Sequence, residues 1–89
     1  MLRIETEPDG PRTILHLIGR IRSDCIDQLT SQIEISSGPV VLDLAEVDIV
    51  DATVVRFLCD CQDQAIELRN SSPYILEWIS RERAERNKP

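Results

Sequence analysis

The side chains of this sequence able to carry chemistry are a histidine, three cysteines and a scatter of aspartates. His16 is the only histidine. It lies between Leu15 and Leu17, with no second histidine and no nucleophile motif, so it reads as a structural or surface residue rather than a general base. The cysteines are Cys25, Cys59 and Cys61. Cys59 and Cys61 stand two apart in a helical pattern, which points their side chains about 200° apart. They cannot share a metal ion or a disulfide while that helix is intact, and the pattern puts Cys61 in the core and leaves Cys59 partly exposed. Asp43, Asp48, Asp51 and Asp60 have the oxygen chemistry of a magnesium site. Asp43 belongs to an apolar run, however, and Asp60 lies a helix-length beyond Asp51, so the four are not expected to converge. Neither Cys-x-x-Cys nor a glycine-rich phosphate loop occurs. The residue types point away from an enzyme and imply no cofactor and no metal.

Charge narrows the partners. The 89 residues carry a net −6, with 42% apolar and 29% charged side chains, the balance of one globular domain. An acidic chain is a poor match for a phosphate backbone, so nucleic acid is not expected as a partner. Arg81, Arg83, Arg86 and Lys88 against Glu82 and Glu85 leave the last nine residues at +2 and the remainder at −8. That tail reads as a solvated helix end with cations near the negative pole of the dipole. No apolar run approaches the roughly 20 residues of a membrane helix, and the start lacks the basic-then-apolar pattern of a secretory signal. With an odd cysteine count, these features predict reduced thiols in a cytoplasm.

The elements that would position these residues follow from periodicity. Leu2 to Glu7 alternates apolar and polar, an edge strand with one wet face. Pro8-Asp-Gly-Pro11 is a turn, and Arg12 to Arg20 is a more apolar second strand, giving an antiparallel hairpin. Ser23 can cap a helix whose buried stripe is Ile26, Leu29 and Ile33, with Gly38 as a stop. Val40 to Leu44 is a buried, parallel central strand. An acidic loop, Ala45 to Val50, leads to Asp51 at the N-cap of a second helix, whose face is Val54, Leu58, Cys61 and Ala65. That helix ends near Gln64. Ile66 to Arg69 is a short fourth strand. Ser72-Pro73 starts a last helix with Ile75, Trp78 and Ile79 inward. The order β-β-α-β-α-β-α predicts a four-stranded mixed sheet in one α/β domain, with helices mainly on one face.

The run Val40-Val-Leu-Asp-Leu-Ala-Glu-Val-Asp-Ile-Val-Asp-Ala-Thr-Val-Val-Arg-Phe-Leu58 resembles the centre of a STAS domain, the fold of bacterial anti-sigma factor antagonists. In that family a hydrophobic strand ending in Asp-Leu leads through a short loop to an Asp, and then to Ser-Ser-Gly or Ser-Ala-Gly opening a helix. The strand, the loop and Asp51 match. Ala52 stands where the phospho-acceptor serine belongs, Thr53 follows it, and Val54 replaces the glycine. The resemblance implies a non-enzymatic protein-interaction module in bacterial regulation. Its contact residues, carried over by position, are Asp48, Asp51, Ala52, Thr53, Arg20 and Ser23. The partner implied is an anti-sigma factor with kinase character. With Ala52 unable to accept phosphate the switch is expected to be lost, unless Thr53 takes the phosphate. A second reading is a STAS-type accessory subunit working on the ATPase of an ABC lipid-transport system. A third is a small redox protein using Cys59, which requires that thiol to be exposed and acidic.

Overall fold

A computed structural model of the chain describes residues 2–36 and 38–87. Its elements run β1 (Leu2–Asp9), β2 (Arg12–Ile21), a 3-10 turn (Ser23–Cys25), α1 (Ile26–Ile35), β3 (Val40–Val50), α2 (Ala52–Asp63), β4 (Glu67–Arg69) and α3 (Pro73–Arg86). The sheet order is β1-β2-β3-β4, with β1 antiparallel to β2 and the other neighbours parallel. This is the α/β, STAS-like four-stranded arrangement that the sequence predicts. Leu29 of α1, Val54, Val55 and Leu58 of α2, and Ile75 and Ile79 of α3 join Leu15, Leu17, Leu42 and Leu44 of the central strands in one apolar cluster. All three helices therefore cover the same face of the sheet, as two parallel crossovers stepping in one direction require of α1 and α2.

The opposite face is uncovered and polar. Glu7, Ile14, Val41 and Glu67 form one cross-strand row, and Glu5, His16, Asp43 and Arg69 the next. Ile14 and Val41 are nonetheless buried. Arg12 on β2 reaches Glu67 on β4 at 3.8 Å, an ion pair that spans β3, and long charged side chains cover apolar neighbours with their stems.

The hairpin turn is tied to the rest through Gly38. Its φ is +70°, and a Cβ there would run into the carbonyl of Pro11. Thr13 N–H donates to Pro39 O at 2.9 Å beside it. Only glycine suits a left-handed residue pressed against another backbone.

Several expectations need correction. Ala45 to Val50 is strand, not loop: β3 continues to Val50 and stays paired with β2 as far as Ile21. Two register shifts explain why alternation fails there. Between His16 and Ile18, β2 advances two residues while β3 advances three, and between Gly19 and Arg20 β3 again gains one. Each bulge adds a residue, so the core side is met every third position, at Leu44, Val47 and Val50. Asp43 Oδ1 accepts from Ala45 N at 2.9 Å, supplying a partner for an N–H at the first bulge.

Ser23 does not cap α1. It opens the 3-10 turn, and its backbone N–H is held from β3's end instead. Ala65 is not on the buried face of α2. It is exposed with φ 64°, and it closes the helix as Ala65 N–H reaches Gln62 O and Ile66 N–H reaches Cys61 O. Trp78 packs against the core but is only half-buried, and it stands edge-on to the exposed Tyr74 with ring centres 5.7 Å apart. The basic tail is not merely solvated. Arg83 donates to Gln62 Oε1, Asp63 Oδ1 and Cys59 O, and Arg86 to Asp60 Oδ1 and Arg56 O. These contacts set two cations against the negative end of α2, whose own last turn has acids and no base.

Candidate partner-docking surface

Parallel strands deliver their C-terminal ends to one edge of the domain, and the six residues singled out by the sequence gather there. Asp51 is the hinge of the arrangement. It is the one residue between β3 and α2, anchored on its N-terminal side by buried Val50 and followed, after the first turn of α2 begins, by buried Val54. Its Oδ1 accepts from Val54 N at 2.9 Å, the N-cap bond that the sequence predicts. Its Oδ2 accepts from Ser23 N, also at 2.9 Å. One carboxylate thus caps α2 and holds the entry to α1 beside it. Two segments 28 residues apart become one surface.

Around that carboxylate the other predicted residues are exposed. Asp48 is the extra residue of the second bulge, and Ala52 and Thr53 form the exposed first turn of α2. Arg20 pairs in register with Ile49, and Ser23 lies just beyond β2. Gly19, with φ 102°, stands at the second bulge, where a side chain would be strained. Thr53 is exposed at the second residue of the helix, whose positive end favours an anion.

One residue of this surface escaped the sequence reading. Ile49 is 47% exposed, a large apolar side chain on the outside of an acidic domain. Read as part of a loop it had no face, and only the bulges show which side it is on. Arg22, inside the Arg20 to Ser23 loop that the sequence sets beside the surface, is exposed as well.

The cysteines and the histidine lie elsewhere. Cys59 is fully buried, not partly exposed as expected. Its thiol points toward Ile79 O at 4.0 Å, and burial raises its pKa above the ordinary value. Cys61 is pushed up to about 12 by burial, with Asp60 adding to the shift. These are the opposite of a reactive thiolate, so the redox reading built on Cys59 fails. His16 stands on the open face. Its Nε2 is 2.6 Å from Glu7 Oε1 and its Nδ1 3.3 Å from Asp43 Oδ2. The bond to Glu7 raises the histidine pKa against an opposing effect of burial, with the charges of Asp43 and Glu5 assisting. Burial alone would raise Asp43, but the Ala45 N–H, the Asn70 amide, His16 and Arg69 together hold it low. The carboxylates sit on opposite sides of the imidazole and do not converge on a point. Among the described residues no group of three His, Cys, Asp or Glu side chains is placed to hold a metal ion. No described helix is long and apolar enough to cross a membrane.

No family model matches this chain, and no curated protein matches it. Among solved structures it is similar to crystal structures of Mglu. In one, the TM-score is 0.56 with 29% identity, over 78% of this chain and 19% of that one. Against Mglu in its native form the values are 0.48 and 25%, over 76% and 23% of the two chains. In the presence of 4.3 M NaCl they are 0.46 and 20%, over 78% and 26%. The chain therefore spans about a fifth to a quarter of the length of the Mglu chains it matches. The first of these likenesses supports a fold shared with part of a longer protein.

Proposed function

We propose that this chain is a non-enzymatic protein-interaction module of bacterial regulation, cytoplasmic and similar to the anti-sigma factor antagonists. It docks on its partner through the end of β3, the first turn of α2 and the adjoining Arg20–Ser23 segment. The observation that carries this reading is the double acceptance by Asp51, which holds two distant segments as one surface. Arg20, Asp48, Ile49 and Thr53, exposed on that surface, make no ion pair or side-chain hydrogen bond among the described residues. A surface built rigidly while its side chains stay unengaged suits docking better than catalysis. Ala52 has no oxygen to phosphorylate, so binding is constitutive. Thr53 is the one hydroxyl in the first turn of α2 that could restore a switch, and phosphate there would alter docking rather than stability.

The test is capture of the partner from lysate of the native host by the tagged chain, compared with Ala52→Arg and Thr53→Ala, with phosphate mapped by mass spectrometry. An anti-sigma factor recovered by the parent chain and by Thr53→Ala, and lost with Ala52→Arg, is the expected result. Stoichiometric phosphothreonine at Thr53 would overturn constitutive binding. Recovery of a transporter ATPase in place of an anti-sigma factor would overturn the choice of partner, and capture insensitive to Ala52→Arg would overturn the choice of surface.

A further inference from the structure

Two arginines of this domain differ from the others. Every other arginine sits in an ion pair within the chain. Among the described residues Arg20 and Arg22 sit in none, and both are exposed. The reason is not a shortage of acids, since the chain has 16 of them against 10 bases. Glu46, one row from Arg20, and Asp24, two residues beyond Arg22, are likewise outside any ion pair.

The strand register places these groups. Ile21 and Val50 are partners across β2 and β3, and both are buried on the helical side. The pair before them, Arg20 and Ile49, therefore emerges on the opposite, uncovered side of the sheet. Arg22, two residues on, is exposed in extended backbone just past the end of β2. The preceding row there holds half-buried Ile18 beside Glu46. This end of the open face is thus a short apolar strip that carries two guanidinium groups and the Glu46 carboxylate, none of them in an ion pair among the described residues. The other end is different in kind, since Glu7, His16, Asp43, Arg12 and Glu67 engage one another.

We infer that Arg20, Arg22 and Ile49 form a subsite for an acidic stretch of the protein partner, with carboxylates on the two guanidinium groups and an apolar side chain over Ile49. The inference rests on the reading of the chain as a partner-docking module, and it adds the chemistry of what docks. Charge complementarity selects the occupant. Guanidinium groups take carboxylates in bidentate geometry, and arginine beside an exposed apolar residue is the composition of an interface centre. The domain as a whole is at −6 and repels acidic surfaces at long range. An acidic partner is therefore accepted only where it meets these two cations, which fixes register and suppresses other partners. An anionic membrane needs a broad basic field, which two arginines on an acidic domain do not supply.

The experiment titrates the isotope-labelled chain with a soluble peptide of alternating Glu and Leu, and with matched Lys–Leu and Gln–Leu peptides. It follows the Nε–H signals of Arg20 and Arg22 and the methyl signals of Ile49. The Glu–Leu peptide should shift these signals saturably at low salt, and the Lys–Leu peptide should not. The double substitution Arg20→Gln/Arg22→Gln should weaken binding by about tenfold or more with the thermal midpoint retained, and Ile49→Ser should weaken it further. Glu–Leu binding that is unchanged in the double variant, or that shifts only signals elsewhere, overturns the inference. Arginine-dependent binding to phosphatidylserine vesicles without a response to the peptide also overturns it, in favour of a lipid surface. Self-association abolished by the same substitutions, again without peptide binding, overturns it in favour of a second copy of the chain. A native partner lost with Ala52→Arg but retained by the arginine variant sinks this inference and leaves the docking function standing. Peptide binding at the arginines with no native partner recovered does the reverse.

Discussion

Removing the Asp51 carboxylate should do more harm than removing an ordinary helix cap. The side chain accepts two backbone N–H groups at 2.9 Å, from Val54 within α2 and from Ser23 across the surface. Loss of an N-cap acceptor costs about 1–2 kcal/mol. The second bond is more exposed and contributes about 0.5–1 kcal/mol. Asp51→Ala should therefore destabilise by about 1.5–3 kcal/mol, against roughly 5–10 kcal/mol expected for a domain of this size. Asp51→Asn keeps one acceptor oxygen but turns an amide N–H toward one donor, so it should lie between the two. The cross-surface bond can be isolated. Ser23→Pro deletes the donor at the first position of the 3-10 turn, where proline is tolerated, and Arg22 already has the extended backbone (φ −118°, ψ 171°) that a following proline requires. In a double-mutant cycle read by urea unfolding, Asp51→Ala and Ser23→Pro should couple by about 0.5–1 kcal/mol. Strict additivity would refute the bridging role, and a cost below about 0.5 kcal/mol for Asp51→Ala would refute the cap as well.

Leu42 is fully buried at the centre of the sheet, so Leu42→Ala should cost about 2–5 kcal/mol, and an unchanged urea midpoint would contradict its placement. Ala65→Gly should stabilise the domain by about 1 kcal/mol, because alanine at φ 64° is strained where glycine is not; a lower thermal midpoint would refute the left-handed cap. With a thiol-specific reagent, native protein should release the signal of half-buried Cys25 first, while Cys59 and Cys61 react only on unfolding; three equally fast thiols would contradict their burial. His16 is raised above its ordinary 6.5, so its contribution is complete below that pH and is lost as pH rises through the higher folded value. At a site this exposed the loss is discounted to about 0.5 kcal/mol. His16→Gln should abolish that alkaline decline, and an identical decline in the variant would refute its origin in the Glu7 and Asp43 contacts.

The element order, the mixed sheet and the capped start of α2 were legible from the residues alone. These rest on local signals: alternation in Leu2 to Glu7, the apolar run Val40 to Leu44, the spacing of Val54, Leu58 and Cys61, and the Asp51 and Ser72 caps. Each is dictated by backbone geometry acting over a few residues, and the structure keeps them. What lay beyond local geometry was decided by tertiary contacts. Ala45 to Val50 looks like loop because two bulges break its period of two, and only its pairing with β2 reveals a strand. Cys59 looks exposed on a helical wheel, but α3 lies over it, latched by Arg83 onto the Cys59 carbonyl. The same docking turned a basic tail into a clamp. Ser23 has the chemistry of a helix cap, yet its N–H was taken by a carboxylate 28 residues away, which no periodicity encodes. The candidate surface divides in the same way. Asp51, Ala52 and Thr53 were legible as a helix start, whereas Ile49 joined it only once the strand register fixed which side of the sheet it faces.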